Sequence, residues 1–148
     1  MLNNMNDIFL FSPAFKLHQA TILLDRVADA YLEREHGIRY APFLVLLMAR
    51  VLGPTSQQSI AAQLGVSRAS VTQRVGALVD EALLAVAPSP TDARANVVTL
   101  TAEGSALVDR AWAGLEAHQD GVDDGIDAAA LTAALDRLIA NATRVLQR

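Results

Sequence analysis

The sequence predicts a mainly α fold interrupted by one two-stranded β-hairpin, and three observations predict it. Apolar residues recur at three-and-four spacing through most of the chain, and alanine, the best helix former, is abundant. Residues 84–100 break the pattern, with short extended runs on either side of a proline-rich turn. At 148 residues the chain fits one domain, long enough to bury a core without disulfides or a structural metal. No internal repeat or low-complexity tract is present.

Ser12-Pro13 opens the first helix, with serine as N-cap and proline in the first turn. Leu17, Ala20, Leu24, Val27, Ala28 and Tyr31 then follow at helical spacing until Gly37. A second helix begins near Pro42, carries Phe43, Leu44, Leu46, Leu47 and Val51, and stops at Gly53-Pro54; it is apolar nearly all round and so reads as buried. Thr55, with Gln58 three residues on, has capping-box spacing and opens a third helix with Ile60, Ala61 and Leu64 facing inward before Gly65. Ser67 caps a fourth, whose Val71, Val75 and Leu78 share one face. Two short helices joined by a turn holding glycine are a helix-turn-helix arrangement. Leu84-Ala85-Val86 and Asn96-Val97-Val98-Thr99-Leu100 make the hairpin, with Pro88 to Asp92 at its tip. Thr101 and nearby Gly104 open a further helix through Trp112 and Leu115. The acidic stretch from Gly121 to Asp127 ends it before a last helix from about Ala128 to Leu146.

Composition narrows the function. Hydrophobic residues make up 52% of the chain and the mean hydropathy is +0.27, high for a lone monomer, so closing apolar surface against a second copy is favoured. The longest apolar run, Ala41 to Ala49, is nine residues, against the roughly twenty of a spanning helix. The first residues have no basic group ahead of the apolar patch Ile8-Phe9-Leu10-Phe11 and no cleavage site after it, so the chain reads as cytoplasmic. With no cysteine there is no disulfide, no thiolate metal site and no thiol-based peroxide sensor. His18, His36 and His118 are scattered and lack carboxylates at ligand spacing, so neither a metal nor another cofactor is expected. No glycine-rich phosphate loop, Ser-His-Asp order or paired carboxylates propose catalysis. Net charge is −4, but residues 49–99 carry +1 from Arg50, Arg68, Arg74 and Arg94 against Asp80, Glu81 and Asp92. The acidic excess lies in the flanks, which leaves the middle as the polyanion-facing region.

On these residues the chain resembles the MarR family of bacterial regulators over nearly its whole length. Ile60-Ala61-Ala62-Gln63-Leu64-Gly65-Val66-Ser67-Arg68-Ala69-Ser70-Val71-Thr72 is similar to the family's helix-turn-helix. Asp92-Ala93-Arg94 followed by Leu100-Thr101-Ala102-Glu103-Gly104 is similar to its wing and exit helix. The resemblance implies a winged helix-turn-helix with a two-stranded β wing and a helical dimerisation platform built from both termini. Residues 1–37 and 105–148 would be dimerisation helices and 38–104 the DNA-binding region of one MarR-like domain spanning 1–148. It also implies a homodimer on double-stranded DNA, a transcription regulator, most often a repressor, answering a small organic effector. The alternative is a dimeric interaction module that kept the fold and lost DNA binding. Four positions depart from the family pattern: Val86 and Gln73 stand where basic residues are common, and Gly76-Ala77 where an acidic-basic pair is frequent.

A recognition helix enters the major groove with its first turns at the base edges, which puts Ser67, Arg68, Ser70, Thr72 and Gln73 at the DNA. Glutamine can hold adenine, arginine can hold guanine, and serine hydroxyls with free helix-start amides suit phosphate. Arg74 either reaches a phosphate or pairs with Asp80 or Glu81. By the resemblance, Arg94 is a minor-groove arginine oriented by Asp92, the simpler reading being a hairpin ion pair. Phe15, His18, Tyr40, Phe43 and Trp112 are the candidate wall of an effector pocket.

Overall fold

The structure, a computed structural model, describes Ile8, residues 10–118 and residues 120–148. Most of the Met1 to Phe11 stretch read above for targeting, and the start of the expected 1–37 dimerisation region, lie outside the described residues. Two compact units appear, Met1–Glu116 and Ala117–Arg148. The first holds α1 (Pro13–His36), α2 (Tyr40–Leu52), α3 (Gln57–Leu64), α4 (Arg68–Asp80), β1 (Leu84–Pro88), β2 (Asn96–Leu100) and nearly all of α5 (Ala102–Ala117); the second holds α6 (Ala128–Leu146). No helix among the described residues is long and apolar enough to cross a membrane.

Ser12 Oγ accepts from the Phe15 amide at 3.2 Å, Pro13 occupies the first turn, and Gly37 closes α1 in the left-handed region at φ 66°. Of its 24 residues only Leu32 is buried. The expected stripe stands open among the described residues of the first unit, with Leu17, Leu24 and Val27 exposed.

The second helix begins at Tyr40, two residues before the expected Pro42, because its cap comes from outside the local sequence. Arg39, at the N-cap, makes no side-chain cap; instead Asp29 Oδ1 on α1 accepts from the Tyr40 amide at 2.8 Å. The Arg39 guanidinium clasps the same carboxylate, with Nε 3.0 Å from Oδ1 and Nη2 2.7 Å from Oδ2. The Tyr40 amide first, then Arg39, hold Asp29 below the usual carboxylate range. A depressed carboxylate stabilises the fold above the unfolded value of about 3.9 and stops doing so as pH falls through the lower folded value. Asp29→Ala should therefore melt below wild type at neutral pH, and the gap should close in acid below about pH 4; a gap that stays constant on acidification would contradict this.

The third helix corrects the capping reading. Its N-cap is Ser56, whose Oγ accepts from the Ser59 amide at 3.1 Å, and not Thr55. Thr55 pairs with Val98 of the hairpin, its amide donating to the Val98 carbonyl at 3.1 Å and its carbonyl accepting from the Val98 amide at 2.7 Å. It thus acts as a single-residue third strand that fixes the hairpin to the helix-turn-helix. Gly65, at φ 64°, turns the chain into α4, where Ser67 Oγ accepts from the Ser70 amide at 3.1 Å.

The core gathers one face from each element of the first unit. Phe43, Val45 and Leu46 of α2 meet Ile60 of α3, Val71, Val75 and Leu78 of α4, Leu84 of β1, Val98 of β2 and Ala111 of α5. As the sequence suggested, α2 is covered nearly all round from Tyr40 to Ala49, and only its last turn opens, where Val51 is 67% exposed.

The exit from α4 explains the Leu-Thr-x-x-Gly signature. The helix ends with the Leu83 amide donating to Leu78 O and the Ala82 amide to Val79 O, both at 2.9 Å, which puts Ala82 at φ 59°. That left-handed residue costs about 1–2 kcal/mol for anything but glycine. Thr101 then works in both directions: its hydroxyl donates to Ala82 O at 2.7 Å and accepts from the Gly104 amide at 3.0 Å, capping α5. Gly104 lies against the Leu83 carbonyl so closely that any Cβ there would collide with it.

Candidate nucleic-acid interface

On α4 the buried Val71, Val75 and Leu78 fix which face looks outward. Opposite them stand Gln73, flanked by Ala69, Gly76 and Ala77, all exposed, with Thr72 and Arg68 toward one side and Ser70 and Arg74, half-buried, toward the other. A Cβ at Gly76 would meet nothing within 4 Å. Gln73 is thus the one long polar side chain on a smooth outward face, which allows a close approach to whatever the helix faces.

The hairpin pairs Leu84 with Leu100 through Pro88 with Asn96. Its tip is stiffened by its own side chains. Ser89 Oγ accepts from the Thr91 and Asp92 amides at 3.3 Å each, and Asp92 Oδ1 accepts from the Arg94 amide at 3.0 Å. Asp92 therefore holds the Arg94 backbone, and among the described residues no ion pair joins the two side chains.

Helix and wing meet at a cleft of about 300 Å³. Arg68 from α4 and Arg94 from the wing line it together with Ser56, Gln57, Gln58 and Asn96, and no acidic residue does. Neither guanidinium has a carboxylate partner among the described residues, and neither does that of Arg74, so its pairing with Asp80 or Glu81 is not formed. Two uncompensated cations beside neutral amide donors form an anion-binding surface. Gln57, Gln58 and Asn96 escaped the sequence reading, because α3 is read as support and only the fold brings its start to the wing.

Arg50, counted above among the cations of the middle region, is spent elsewhere. It pairs with Asp109 at 2.7 Å and also donates to Ser105 Oγ, tying α2 to α5. Beside it, a cavity of about 430 Å³ is lined by Leu47, Val51, Val108, Asp109, Trp112, Ala113 and Glu116 as well as Arg50. Of the five aromatic and histidine residues singled out for a pocket, this cavity takes Trp112, 46% exposed, and none of the others. Phe43 is 1% exposed in the core, Tyr40 is half-buried with its phenol pushed up first by burial and then by Asp25, Phe15 is half-buried, and His18 is exposed. Among the described residues no three metal-ligating side chains gather, and His118 Nε2 lies 3.9 Å from Asp120 Oδ2.

Two short helices around a glycine turn, followed by a hairpin whose second strand leads into the exit helix, define a winged helix-turn-helix protein. A family model described as MarR family matches residues 36–95. The fold extends the likeness over nearly all of the chain. BpsR of Bordetella bronchiseptica, solved in a study of the regulation of its DNA binding by 6-hydroxynicotinic acid, is 25% identical with a TM-score of 0.77, covering 90% of this chain and 95% of that one. A variant of MarR from E. coli complexed with operator DNA is 22% identical with a TM-score of 0.78, covering 95% and 99%. CouR from Rhodococcus jostii, bound to p-coumaroyl-CoA, is 23% identical with a TM-score of 0.76, covering 88% and 91%. No curated protein matches the sequence.

Proposed function

We propose that this chain is a DNA-binding transcription regulator, a repressor working in the cytoplasm as a homodimer and released by a small organic effector, with no catalytic role. The observation that carries the reading is the cleft in which Arg68 and Arg94 stand together without an acidic neighbour. It lies where a duplex backbone would run if α4 entered the major groove and the wing the minor groove beside it. Gln73, Thr72 and Ser70 then face base edges, Ser67 keeps its hydroxyl for its helix cap, and Arg74 reaches an adjoining phosphate. In keeping with this, one MarR-fold relative was solved on operator DNA.

The test is selection of a duplex from a randomised pool by the wild-type chain. The selected site should be pseudo-palindromic, with half-sites about one helical turn apart. Gln73→Ala should leave the salt dependence unchanged, since no charge is lost, while relaxing discrimination at one base pair per half-site by about 1–3 kcal/mol. A wild-type chain that selects nothing at low salt would instead favour the DNA-silent interaction module.

Dimerisation is proposed from the apolar faces left open. α1 exposes Leu17, Leu23 and Leu24, and α6 buries nothing while exposing Leu131, Leu138 and Ile139. Each would close against a second copy. Sedimentation at micromolar concentration should give a dimer that weakens to monomer when residues 128–148 are removed; a wild-type monomer, or a truncated dimer of undiminished strength, would contradict it.

For the effector, the Trp112 cavity is the proposed site: its apolar wall suits an aromatic ring, and a carboxylate on that ring would have to displace Asp109 from Arg50. The only tryptophan in the chain makes its fluorescence the readout. Release of DNA by zinc or peroxide, with no response to aromatic acids, would reject this class.

A further inference from the structure

The Thr72 hydroxyl donates to Gln57 Oε1 at 2.6 Å, a bond from the start of α3 to the recognition helix. Thr72 is exposed and Gln57 half-buried, and neither belongs to the hydrophobic core, so core packing does not impose the contact. A threonine can offer a groove either its hydroxyl, which suits several base edges, or its methyl, which suits the C5-methyl of thymine. Here Oγ1 is turned to α3 and its proton is spent on Gln57. The methyl is the branch left for a base.

Gln57 has a second set of neighbours. It lines the cleft with Arg68 and Arg94, and with Oε1 committed to Thr72 its amide nitrogen keeps two donors for an anion there. A backbone phosphate drawn in by the two guanidiniums would order the Gln57 side chain, whose rotamer freedom otherwise opposes the bond to Thr72.

Building on the DNA-binding reading above, we propose that Gln57 is a positioning residue for specificity: it holds the Thr72 hydroxyl so that Thr72 reads a thymine methyl, and it does so when a phosphate occupies the cleft. Gln57 thereby connects backbone contact to base choice without touching a base.

The test uses the full chain and the duplex it selects, with each thymine replaced in turn by deoxyuridine, which removes only the methyl. One position per half-site should weaken wild-type binding about fourfold, the weight of one buried methyl group. Thr72→Ser keeps the hydroxyl but has no methyl, and should lose that penalty. Gln57→Ala should reduce it to less than about twofold, and Gln57→Glu should restore it, since a carboxylate still accepts from Thr72, while lowering overall affinity beside two arginines. Thermal melts run alongside should change little, because Thr72 is exposed and the half-buried Gln57 lies outside the core. A methyl penalty that survives Gln57→Ala or Thr72→Ser, or no thymine with a penalty, overturns the inference while DNA binding stands. A wild-type chain that selects no duplex overturns both together.

Discussion

Gly104→Val should destabilise the fold by about 3 kcal/mol, and Gly104→Ala by somewhat less, both through overpacking. The first atom of any side chain there meets the Leu83 carbonyl oxygen, which is backbone and cannot rotate away. That carbonyl also accepts the Thr101 amide at 3.2 Å, so moving it strains the corner that joins α4, the hairpin and α5. The start of α5 would have to lift from β1 and β2, with Leu107 and Val108 pulled from the core behind it. Denaturant melts of the two variants against wild type read the loss directly. A Gly104→Val variant as stable as wild type would mean that the corner yields freely, and that the glycine of the signature has another cause.

Replacing Arg68 and Arg94 together by alanine should nearly abolish duplex binding at physiological salt while leaving the melt unchanged. Both side chains are exposed and neither holds an ion pair among the described residues, so the fold loses nothing by their removal. The double variant takes four cations from a dimer's contact with DNA, so the slope of log affinity against log salt should fall by roughly three to four units. Because the two arginines share one cleft, the single variants should not sum to the double. Once either is gone, the phosphate is held less firmly and the other contributes less. An Arg68→Ala variant that changes base preference and leaves the salt slope alone would place Arg68 at a base edge instead of the backbone.

The elements that the sequence announced were those whose signals are local. Ser12 with Pro13, Ser67, Thr101 and the closing glycines 37 and 65 each carry their capping chemistry within four residues, and the structure places each helix end there. What stayed hidden depends on contacts distant in sequence. Thr55 and Ser56 are equally good caps in isolation, and only the Val98 strand, more than forty residues on, decides between them. The start of α2 depends on Asp29 from the preceding helix, and Arg50 is withdrawn from the basic region by Asp109 on α5. Ala82 ends α4 in a conformation that normally announces itself as glycine, so the sequence carries no mark of that cap. The candidate interface divides in the same way: Gln73 and Arg94 follow from helix and hairpin order, whereas Gln57, Gln58 and Asn96 join it only when the hairpin folds back to the start of α3.

On the proposed function, an acidic chain of net charge −4 holds a cationic surface for the DNA backbone in its middle third. The direct measurement is the affinity of the wild-type chain for its selected duplex across a range of salt. Arg68, Arg74 and Arg94 in each half of a dimer make six cations, so log affinity should fall against log salt with a slope of about −5. A flat line, or no duplex binding at the lowest salt, would contradict the claim.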